Sequence, residues 1–340
     1  MDQYNNQNSM NKYKVSILVP VYNVEAYIKR CAISLFNQTL AESIEYIFVD
    51  DCSTDDSLRV LYDLIEEYPQ LKTQIRVISH EKNKGLACAR ETALREANGE
   101  YLLTVDSDDW IELDMVEMLY LASEGSTIDV VSCDYYVEYK KKTTIVSQSI
   151  GNSPIECLQN IFLGKAHGGT CLRLIRRSIF STNDIHYIKG LNMLEDISVL
   201  HKILLCAKTI KHISRPYYHY FQGNLNSYCA GLSNASKQNM LDLVLLIEPE
   251  LESQGLKEDI WDSFNIFKLR IKSLLIENSN TIQEISSYRS LYADILVYNS
   301  RNRLNIKENL LLLFSKYSSL GTYIVVLLIR SIKKLRSMII

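Results

Sequence analysis

The segment Tyr46–Ser57 reads YIFVDDCSTDDS, a short apolar run followed directly by aspartates and hydroxyl residues. An uninterrupted apolar run of this kind is typical of a strand that is buried on both faces of a parallel sheet. The Asp, Ser and Thr residues at its end are preferred at helix N-termini, so they predict that a helix begins there. A strand that passes into a helix through a short polar loop is the basic unit of an α/β fold.

The same pattern occurs on both sides of this segment. Residues 15–19, 76–79 and 101–105 are strand-like, and apolar residues at helical spacing lie between them. Strands that alternate with helices over short connections predict an α/β fold with a Rossmann-like, mostly parallel sheet. Ligands bind such sheets beyond the carboxyl ends of the strands. Because two of the predicted strands end in aspartates, we expect the site at that edge.

The sequence changes character after the α/β pattern ends, and residues 238–299 are predominantly helical. We expect a disordered leader at 1–13, an α/β domain at 14–230 and a mainly helical C-terminal region at 231–340. Residues 324–340 are predicted to form a basic amphipathic helix. This helix either lies on an anionic membrane surface or packs against its own domain.

The composition of the 340 residues is that of a folded globular protein, with 47% hydrophobic and 23% charged residues. The formal net charge of −3 and the lack of a basic stripe with interleaved aromatic residues argue against nucleic-acid binding. The eight cysteines are scattered without metal-ligand spacing, and no apolar stretch of the secretory type precedes Val15. We therefore expect a cytoplasmic protein with reduced cysteines.

An acidic cluster, Asp106, Ser107, Asp108 and Asp109, follows the strand predicted at 101–105. Neighbouring carboxylates raise one another's pKa, so the cluster needs a cation or solvent to stabilise its charge. Mg²⁺ or Mn²⁺ would do so, because such ions take one or two carboxylates together with water and substrate phosphates. A helix N-terminus is an equal alternative from these residues alone, since acidic residues also favour helix starts.

A second acidic pair, Asp50 and Asp51, follows the strand in the opening segment. A carboxylate here can accept the N3–H of uracil, whereas cytosine presents an acceptor at the same position. Helix capping by Ser53, Thr54 or Asp55 is the simpler alternative. The phosphoacceptor site of a receiver domain would also suit an aspartate pair after a strand, but that class predicts a chain about a third of this length.

Taken together, these motifs resemble glycosyltransferase family 2, whose members are inverting enzymes with the GT-A fold. The resemblance is continuous from Val15 to Asp109, resumes near Cys171 and fades after Ser227. It implies a UDP-sugar donor and Mn²⁺ or Mg²⁺ as cofactor. The stretches that carry it are SILVPVYNVEAYIKRCAISLFNQT (16–39), YIFVDDCSTDDS (46–57), NKGLACARETALREANGEYLLTVDSDDW (83–110) and LEDISVLHKIL (194–204).

The resemblance implies roles for individual residues on the donor side. It implies that Asp51 holds uracil, that Asp106 contacts the ribose, and that Asp108 binds the metal that bridges the diphosphate. Asp109 is expected to support this cluster. The positions that match the nucleotide pocket of the family also include Pro20, Tyr22, Asn23, Asp50, Lys84, Gly85, Arg90 and Ser107. Of these, Arg90 could equally be a charge on a helix surface.

On the acceptor side, Glu195–Asp196 matches an acidic pair in which the second residue is the general base. Inverting transfer requires a base, because the acceptor hydroxyl must lose its proton as it attacks the anomeric carbon. A solvated helix start is the alternative for this pair. His219 lies where the family tends to have a basic residue, so it is expected either to bind phosphate or to be a packed, hydrogen-bonded side chain.

The resulting prediction is an inverting enzyme that moves a hexose-type residue from a UDP-sugar to a carbohydrate or lipid-linked saccharide acceptor. The expected setting is surface polysaccharide assembly at the inner face of the cell membrane, with peripheral contact through residues 324–340. A sugar nucleotidyltransferase is one alternative, but it should carry a glycine-rich phosphate loop, and PVYNVEAY (20–27) has no glycine. A catalytically inactive nucleotide-binding module is the other, although intact Asp106, Asp108 and Asp196 disfavour it.

Overall fold

The computed structural model describes residues 13–224, 232–256, 258–295 and 303–339, without the side chains of 259 and 333–339. The predicted leader, residues 1–13, lies outside the described residues apart from Tyr13, whose side chain is buried. The chain divides into two compact units, residues 1–148 with 169–224 and residues 149–168 with 225–340.

The strands among the described residues all lie in the first unit. They are β1 (Val15–Val21), β2 (Ile44–Asp50), β3 (Ile75–Ser79), β4 (Tyr101–Thr104), β5 (Trp110–Ile111), β6 (Val130–Tyr139), β7 (Lys142–Val146), β8 (Arg173–Arg176) and β9 (Ile210–Phe221). The α-helices among the described residues are α1 (Ile28–Phe36), α2 (Ser57–Glu66), α3 (Leu86–Glu96), α4 (Met115–Leu121), α5 (Pro154–Phe162), α6 (Arg177–Thr182), α7 (Glu195–Cys206), α8 (Asn234–Ser253), α9 (Glu258–Glu277), α10 (Ile282–Arg289), α11 (Ile306–Tyr317) and α12 (Ser319–Ile339).

The strands form one sheet in the order β3-β2-β1-β4-β8-β6-β9-β5, with β7 paired to β6. The predicted α/β fold is confirmed, and the four strands expected from the sequence, β1 to β4, are parallel to one another. Beyond β4 the sheet is mixed, because β8 runs antiparallel to both β4 and β6. The carboxyl ends of β1, β2 and β4 therefore lie at the same edge as the start of β8.

Helices cover both faces of this sheet, as its apolar strands require. Along β1, Ile17 and Val19 pack into the cluster that contains residues of α1 and α2, whereas Leu18 packs into the cluster on the opposite face. This division follows from the alternation of side chains along a strand. The second cluster contains alanines of α3 together with Val199 and Ile203 of α7. The starts of α3 and α7 are thus on the same side of the sheet.

The second unit is helical and contains α5 and α8 to α12. The sequence places residues 149–168 in the predicted α/β domain, but α5 packs on α9 through Phe162, which contacts the rings of Phe264 and Phe267. Those partners are about a hundred residues away in the chain, so local periodicity could not reveal them. Among the described residues, no helix combines the length and apolar character needed to cross a membrane.

Candidate active site

The loops after β1 and β2 are joined at the carboxyl edge of the sheet. The Asn23 backbone N–H donates to Ser53 Oγ at 3.1 Å, and Asn23 Oδ1 accepts from the Thr54 backbone N–H at 2.8 Å. Asp50 Oδ1 accepts from the Ser53 N–H at 3.1 Å. Of the other predicted pocket residues in these strands, Pro20 is buried, whereas Tyr22 is exposed directly after β1. These contacts fix the two predicted nucleotide loops against each other.

The Asp51 carboxylate anchors the turn that leads into α3. Its two oxygens accept from the backbone N–H groups of Lys84 at 2.8 Å and Gly85 at 2.7 Å, and His80 Nδ1 lies 2.7 Å from Oδ1. Gly85 has φ of +90°, and a Cβ there would lie 2.5 Å from the Asn192 amide nitrogen. The backbone conformation therefore favours glycine, and a Cβ would in addition displace the Asn192 amide. Whether Asp51 also binds uracil stays a prediction.

The acidic cluster after β4 contains carboxylates with different partners. Asp109 is buried and both of its oxygens are occupied, because Oδ2 accepts from the Tyr218 hydroxyl and Oδ1 from the Phe221 N–H, each at 2.7 Å. Burial, followed by the charges of Asp108 and Asp106, raises the pKa of Asp109 well above its usual value. These two contacts hold the Asp109 carboxyl group in place, and its supporting role stays a prediction.

Asp108 lies at the open side of this cluster and is only half-buried. Its Oδ2 accepts from the Asn224 side-chain amide at 2.9 Å, and its backbone carbonyl accepts from Arg30 Nη2 at 2.8 Å. The Arg30 guanidinium stacks on the Trp110 ring, 3.7 Å from its centroid. The backbone of the cluster is therefore held in place while Asp108 Oδ1 has no hydrogen bond from the described residues.

Arg90 is the residue that unites the site. Its guanidinium is buried and lies 2.9 Å from Asp106 Oδ1, 3.3 Å from Glu195 Oε1 and 3.6 Å from Asp196 Oδ1. Burial by itself would lower the pKa of Arg90, but the three carboxylates raise it well above the usual value, so the side chain is charged. The alternative that Arg90 is a charge on a helix surface is therefore wrong. A single cation links the acidic cluster after β4 to the acidic pair at the start of α7.

The acidic pair contains one buried and one accessible carboxylate. Glu195 is buried, and this burial, followed by the charge of Asp196, raises its pKa to about 8. Asp196 is more exposed, and its Oδ1 accepts from the Thr170 hydroxyl at 2.6 Å. Leu194, immediately before the pair, has the left-handed conformation with φ of +62°. A non-glycine residue in this region stores strain, which is common at functional sites.

Known glycosyltransferases resemble this chain in sequence and in fold. The family model described as Glycosyl transferase family 2 matches residues 16–183. Residues 16–183 therefore belong to glycosyltransferase family 2. It is 35% identical over 213 residues to EpsH of Bacillus subtilis (strain 168), which covers 61% of this chain and 60% of that relative. The chain therefore spans less than two thirds of the length of EpsH.

Solved structures of GT-A glycosyltransferases resemble most of the chain. The structure of S. aureus TarS 1-349 in complex with UDP-GlcNAc has a TM-score of 0.66 at 21% identity and covers 91% of this chain and 89% of that one. The mannosyltransferase PcManGT from Pyrobaculum calidifontis, in complex with GDP-Man and Mn²⁺, has a TM-score of 0.55 at 17% identity, with coverages of 92% and 87%. At these identities the likeness establishes the fold of the family 2 chain.

The carboxylates that face the open side of this family 2 site fit a divalent metal of the Mg²⁺ or Mn²⁺ type. Asp108 Oδ1 and the second oxygen of Asp106 accept no hydrogen bond from the described residues, whereas both oxygens of Asp109 are taken. No set of three metal-ligating side chains occurs among the described residues. One or two carboxylates are enough, because such ions complete their coordination with phosphate oxygens and water.

His219 has a packed environment in the family 2 chain. Its ring stacks between Trp110 and Tyr136, and its two nitrogens lie 2.8 Å from Glu138 Oε1 and 3.0 Å from Glu112 Oε1. A phosphate could contact this ring only by displacing a carboxylate. His219 is therefore a packed, hydrogen-bonded side chain, which is one of its two predicted alternatives. Phosphate binding by His219 stays a prediction.

Several residues of the site were not found from the sequence of this family 2 chain. Thr170 is nearly completely buried, and its hydroxyl donates to Asp196. The Tyr218 hydroxyl donates to Asp109 and accepts from the Asp106 backbone N–H. Arg30 donates to the Asp108 carbonyl. Each partner is distant in sequence, so no local spacing indicates the contact. Ser107 and Lys84, which were predicted, are buried and exposed, respectively, at the same edge.

The raised pKa of Glu195 makes the stability of the folded chain depend on pH. In the folded state, burial and then the charge of Asp196 raise the pKa of Glu195, with a smaller contribution from Asp106. The positive charge of Arg90 opposes this rise but does not cancel it. The folded state therefore binds more protons than the unfolded state between the usual pKa of 4.5 and about 8, so stability falls as pH rises through that window. Denaturant unfolding at pH 5 to 8 should show this fall, and Glu195→Gln should flatten it. An equally steep fall in the variant would contradict the assignment.

Proposed function

We propose that this chain is an inverting glycosyltransferase that moves a hexose-type residue from a UDP-sugar to a carbohydrate or lipid-linked saccharide acceptor. The observation that supports it best is the contact of Arg90 with both Asp106 and Asp196. This contact puts the carboxylate proposed as base beside the acidic cluster proposed to hold the donor. Family membership and the UDP-GlcNAc bound to the structural relative TarS support the donor class.

In this proposal, Asp196 takes the proton from the acceptor hydroxyl as that oxygen attacks the anomeric carbon. Asp196 suits the task because Oδ1 is held by Thr170 and Arg90, whereas Oδ2 has no partner among the described residues. The attack comes from the face opposite UDP, so a single displacement inverts the anomeric centre. Burial and the charge of Asp196 raise the pKa of Glu195 to about 8, so this carboxyl group binds a proton more readily than an ordinary glutamate does.

Asp108, with Asp106 beside it, would hold Mn²⁺ or Mg²⁺. When bound, such an ion stabilises the negative charge that develops on the departing diphosphate. The Mn²⁺ recorded with the mannosyltransferase relative supports this part of the proposal. Arg30 and Asn224 orient Asp108 through its carbonyl and carboxylate, respectively. The proposed setting is surface polysaccharide assembly at the inner face of the cell membrane.

The first test is calorimetric titration of the purified chain with UDP, CDP and GDP, each with and without Mn²⁺. Selective binding of UDP that strengthens with Mn²⁺ would support the proposed donor site, and a panel of UDP-sugars would then identify the sugar by UDP release. A sugar nucleotidyltransferase would instead form a nucleotide-sugar from a sugar phosphate and a nucleoside triphosphate. Nucleotide binding without turnover of any UDP-sugar would favour the inactive module.

Asp108→Asn is expected to weaken UDP binding in the presence of Mn²⁺ by at least about tenfold, because the amide removes the charge that attracts the ion. Binding without metal should change little. The same calorimetric titration measures both values. Asp63→Asn, which changes an exposed carboxylate on α2, is the matched control. Unchanged Mn²⁺ dependence in Asp108→Asn would refute the role of Asp108.

Thr170→Val is expected to lower kcat about tenfold while leaving KM for the donor nearly unchanged. Valine has the shape of threonine but lacks the hydroxyl that orients Asp196, and a hydrogen bond to a charged group contributes about 1.5–3 kcal/mol. Thr170→Ser keeps the hydroxyl and should retain most activity. Steady-state UDP release measures both constants. A fully active valine variant would show that Thr170 does not position Asp196.

A further inference from the structure

Helix α11 has an apolar stripe that faces solvent. Residues 306, 310, 313, 314 and 317 recur at helical spacing and are all exposed, with Ile306 82% and Tyr317 73% accessible. The opposite side of the helix carries Leu311 and Leu312, which are buried. An ordinary surface helix has one apolar stripe that packs on the core and a polar outer face. Helix α11 is apolar on both sides.

Helix α12 repeats this arrangement after the short connection at Ser318. Its exposed apolar residues are Leu320, Ile324, Leu327, Leu328 and Ile332. Val326 lies on the opposite side and packs with Leu311 of α11 in one cluster on Ile276 and Ile285. Because both helices bury their inner sides in the same cluster, their exposed stripes both point away from it. We name the ten exposed residues of these two stripes the apolar face.

The apolar face carries little charge, and that charge is positive. Lys316 is the one exposed charged residue in the fully described range 306–332. The sequence has no Asp or Glu between Asn309 and Ile340, and it adds Lys333, Lys334 and Arg336 toward its end, whereas the Arg330 guanidinium donates to the carbonyls of Glu277 and Ser279. Apolar patches of this kind are rare on soluble monomers and mark interaction sites. The partner must therefore accept apolar side chains and carry negative charge around them.

We propose that the apolar face binds the surface of a bilayer that contains anionic lipids, with α11 and α12 lying in its interface. Large apolar residues enter the acyl boundary of such a surface, and lysine and arginine are attracted to the headgroups. A second copy that docked through the same apolar face is a poorer partner, because residues 310–340 bring no carboxylate opposite Lys316. The proposal is independent of sugar transfer. It also enlarges the region predicted from the sequence, which began at residue 324.

Sedimentation of the full chain with vesicles tests this proposal. Vesicles of phosphatidylcholine with about 30% phosphatidylglycerol, an anionic lipid, are compared with vesicles of phosphatidylcholine alone. We expect the bound fraction to be at least about tenfold larger on the anionic vesicles and to fall as salt is raised. The double variant Leu313→Glu/Leu328→Glu should lose this binding about tenfold or more, because a carboxylate on each helix opposes insertion.

Leu245→Glu is the matched control, because Leu245 is a 68% exposed leucine on α8 of the same unit and lies outside the apolar face. It should bind vesicles like the wild type. Thermal unfolding of the variants checks folding, and Lys316→Glu gives a second, milder reduction of binding. Equal binding by the wild type and the double variant would overturn the proposal. So would a dimer in light scattering that the double variant dissociates while no form of the protein binds vesicles, since the face would then join two copies.

Discussion

Asp196→Asn is expected to lower sugar transfer by about 100- to 10,000-fold, which is the usual contribution of a general base. Asparagine has the shape of aspartate and can still accept from Thr170, but it cannot take a proton. The affinity for UDP should remain nearly unchanged, because a general base acts in the transition state rather than in donor binding. Initial rates of UDP release in the presence of the acceptor, compared between the wild type and the variant, measure the first effect. Calorimetric UDP binding measures the second.

The control for this prediction is Asp63→Asn, the same chemical change on an exposed residue of α2. It should leave both the rate and the affinity at wild-type values. Full transfer activity in Asp196→Asn would show that another group takes the proton. Loss of UDP binding in parallel with activity would show that Asp196 supports the donor site rather than the chemistry, and the proposed mechanism would then fail.

Arg90→Met is expected to destabilise the folded chain by about 3–5 kcal/mol, the usual cost of removing one partner from a buried ionic cluster. Methionine fills most of the volume but leaves Asp106, Glu195 and Asp196 without their shared cation. Arg90→Lys should be only a partial replacement, because a single ammonium cannot present the planar fork of donors that faces these three carboxylates. Denaturant unfolding at pH 7 measures the loss.

Arg95→Met is the matched control for this prediction. Arg95 lies on the same helix, α3, but is 70% exposed and pairs with Glu91 at i,i+4. Its replacement should cost less than about 1 kcal/mol, as for other surface ion pairs. If the two methionine variants were equally stable, the cluster around Arg90 would not be the electrostatic centre of the site. Lower pH should partly rescue Arg90→Met, because protonation removes the uncompensated charge of the carboxylates.

The sequence predicted the part of the fold that depends on local pattern. The apolar runs at β1, β2, β3 and β4 each form a strand, and the helical spacing between them indicates parallel connections. From this rule alone, Asp51 and Asp106 were expected at one edge of the sheet. The placement of α5 with the second unit was missed, because the ring contacts of Phe162 are made with a helix about a hundred residues later.

The individual motifs of the candidate site were visible in the sequence, but their electrostatics were not. Asp106, Asp108 and Asp109 look equivalent as letters. In the structure Asp109 gives both oxygens to Tyr218 and Phe221, Asp106 faces Arg90, and Asp108 keeps an oxygen free of hydrogen bonds from the described residues. Which carboxylate can hold a metal is therefore decided by Arg90, which precedes the motif, and by Tyr218, Phe221 and Asn224, which follow it by more than a hundred residues.

The sequence by itself determined the α/β class, the parallel order of its first strands and the acidic residues at their carboxyl ends, because these follow from side-chain periodicity and chain connectivity. Only the tertiary structure decided that Arg90 is a buried cation shared by three carboxylates, that Thr170 holds Asp196, and that two C-terminal helices leave an apolar face exposed. Burial and partnership are properties of residues brought together from distant parts of the chain. No local pattern of letters encodes them.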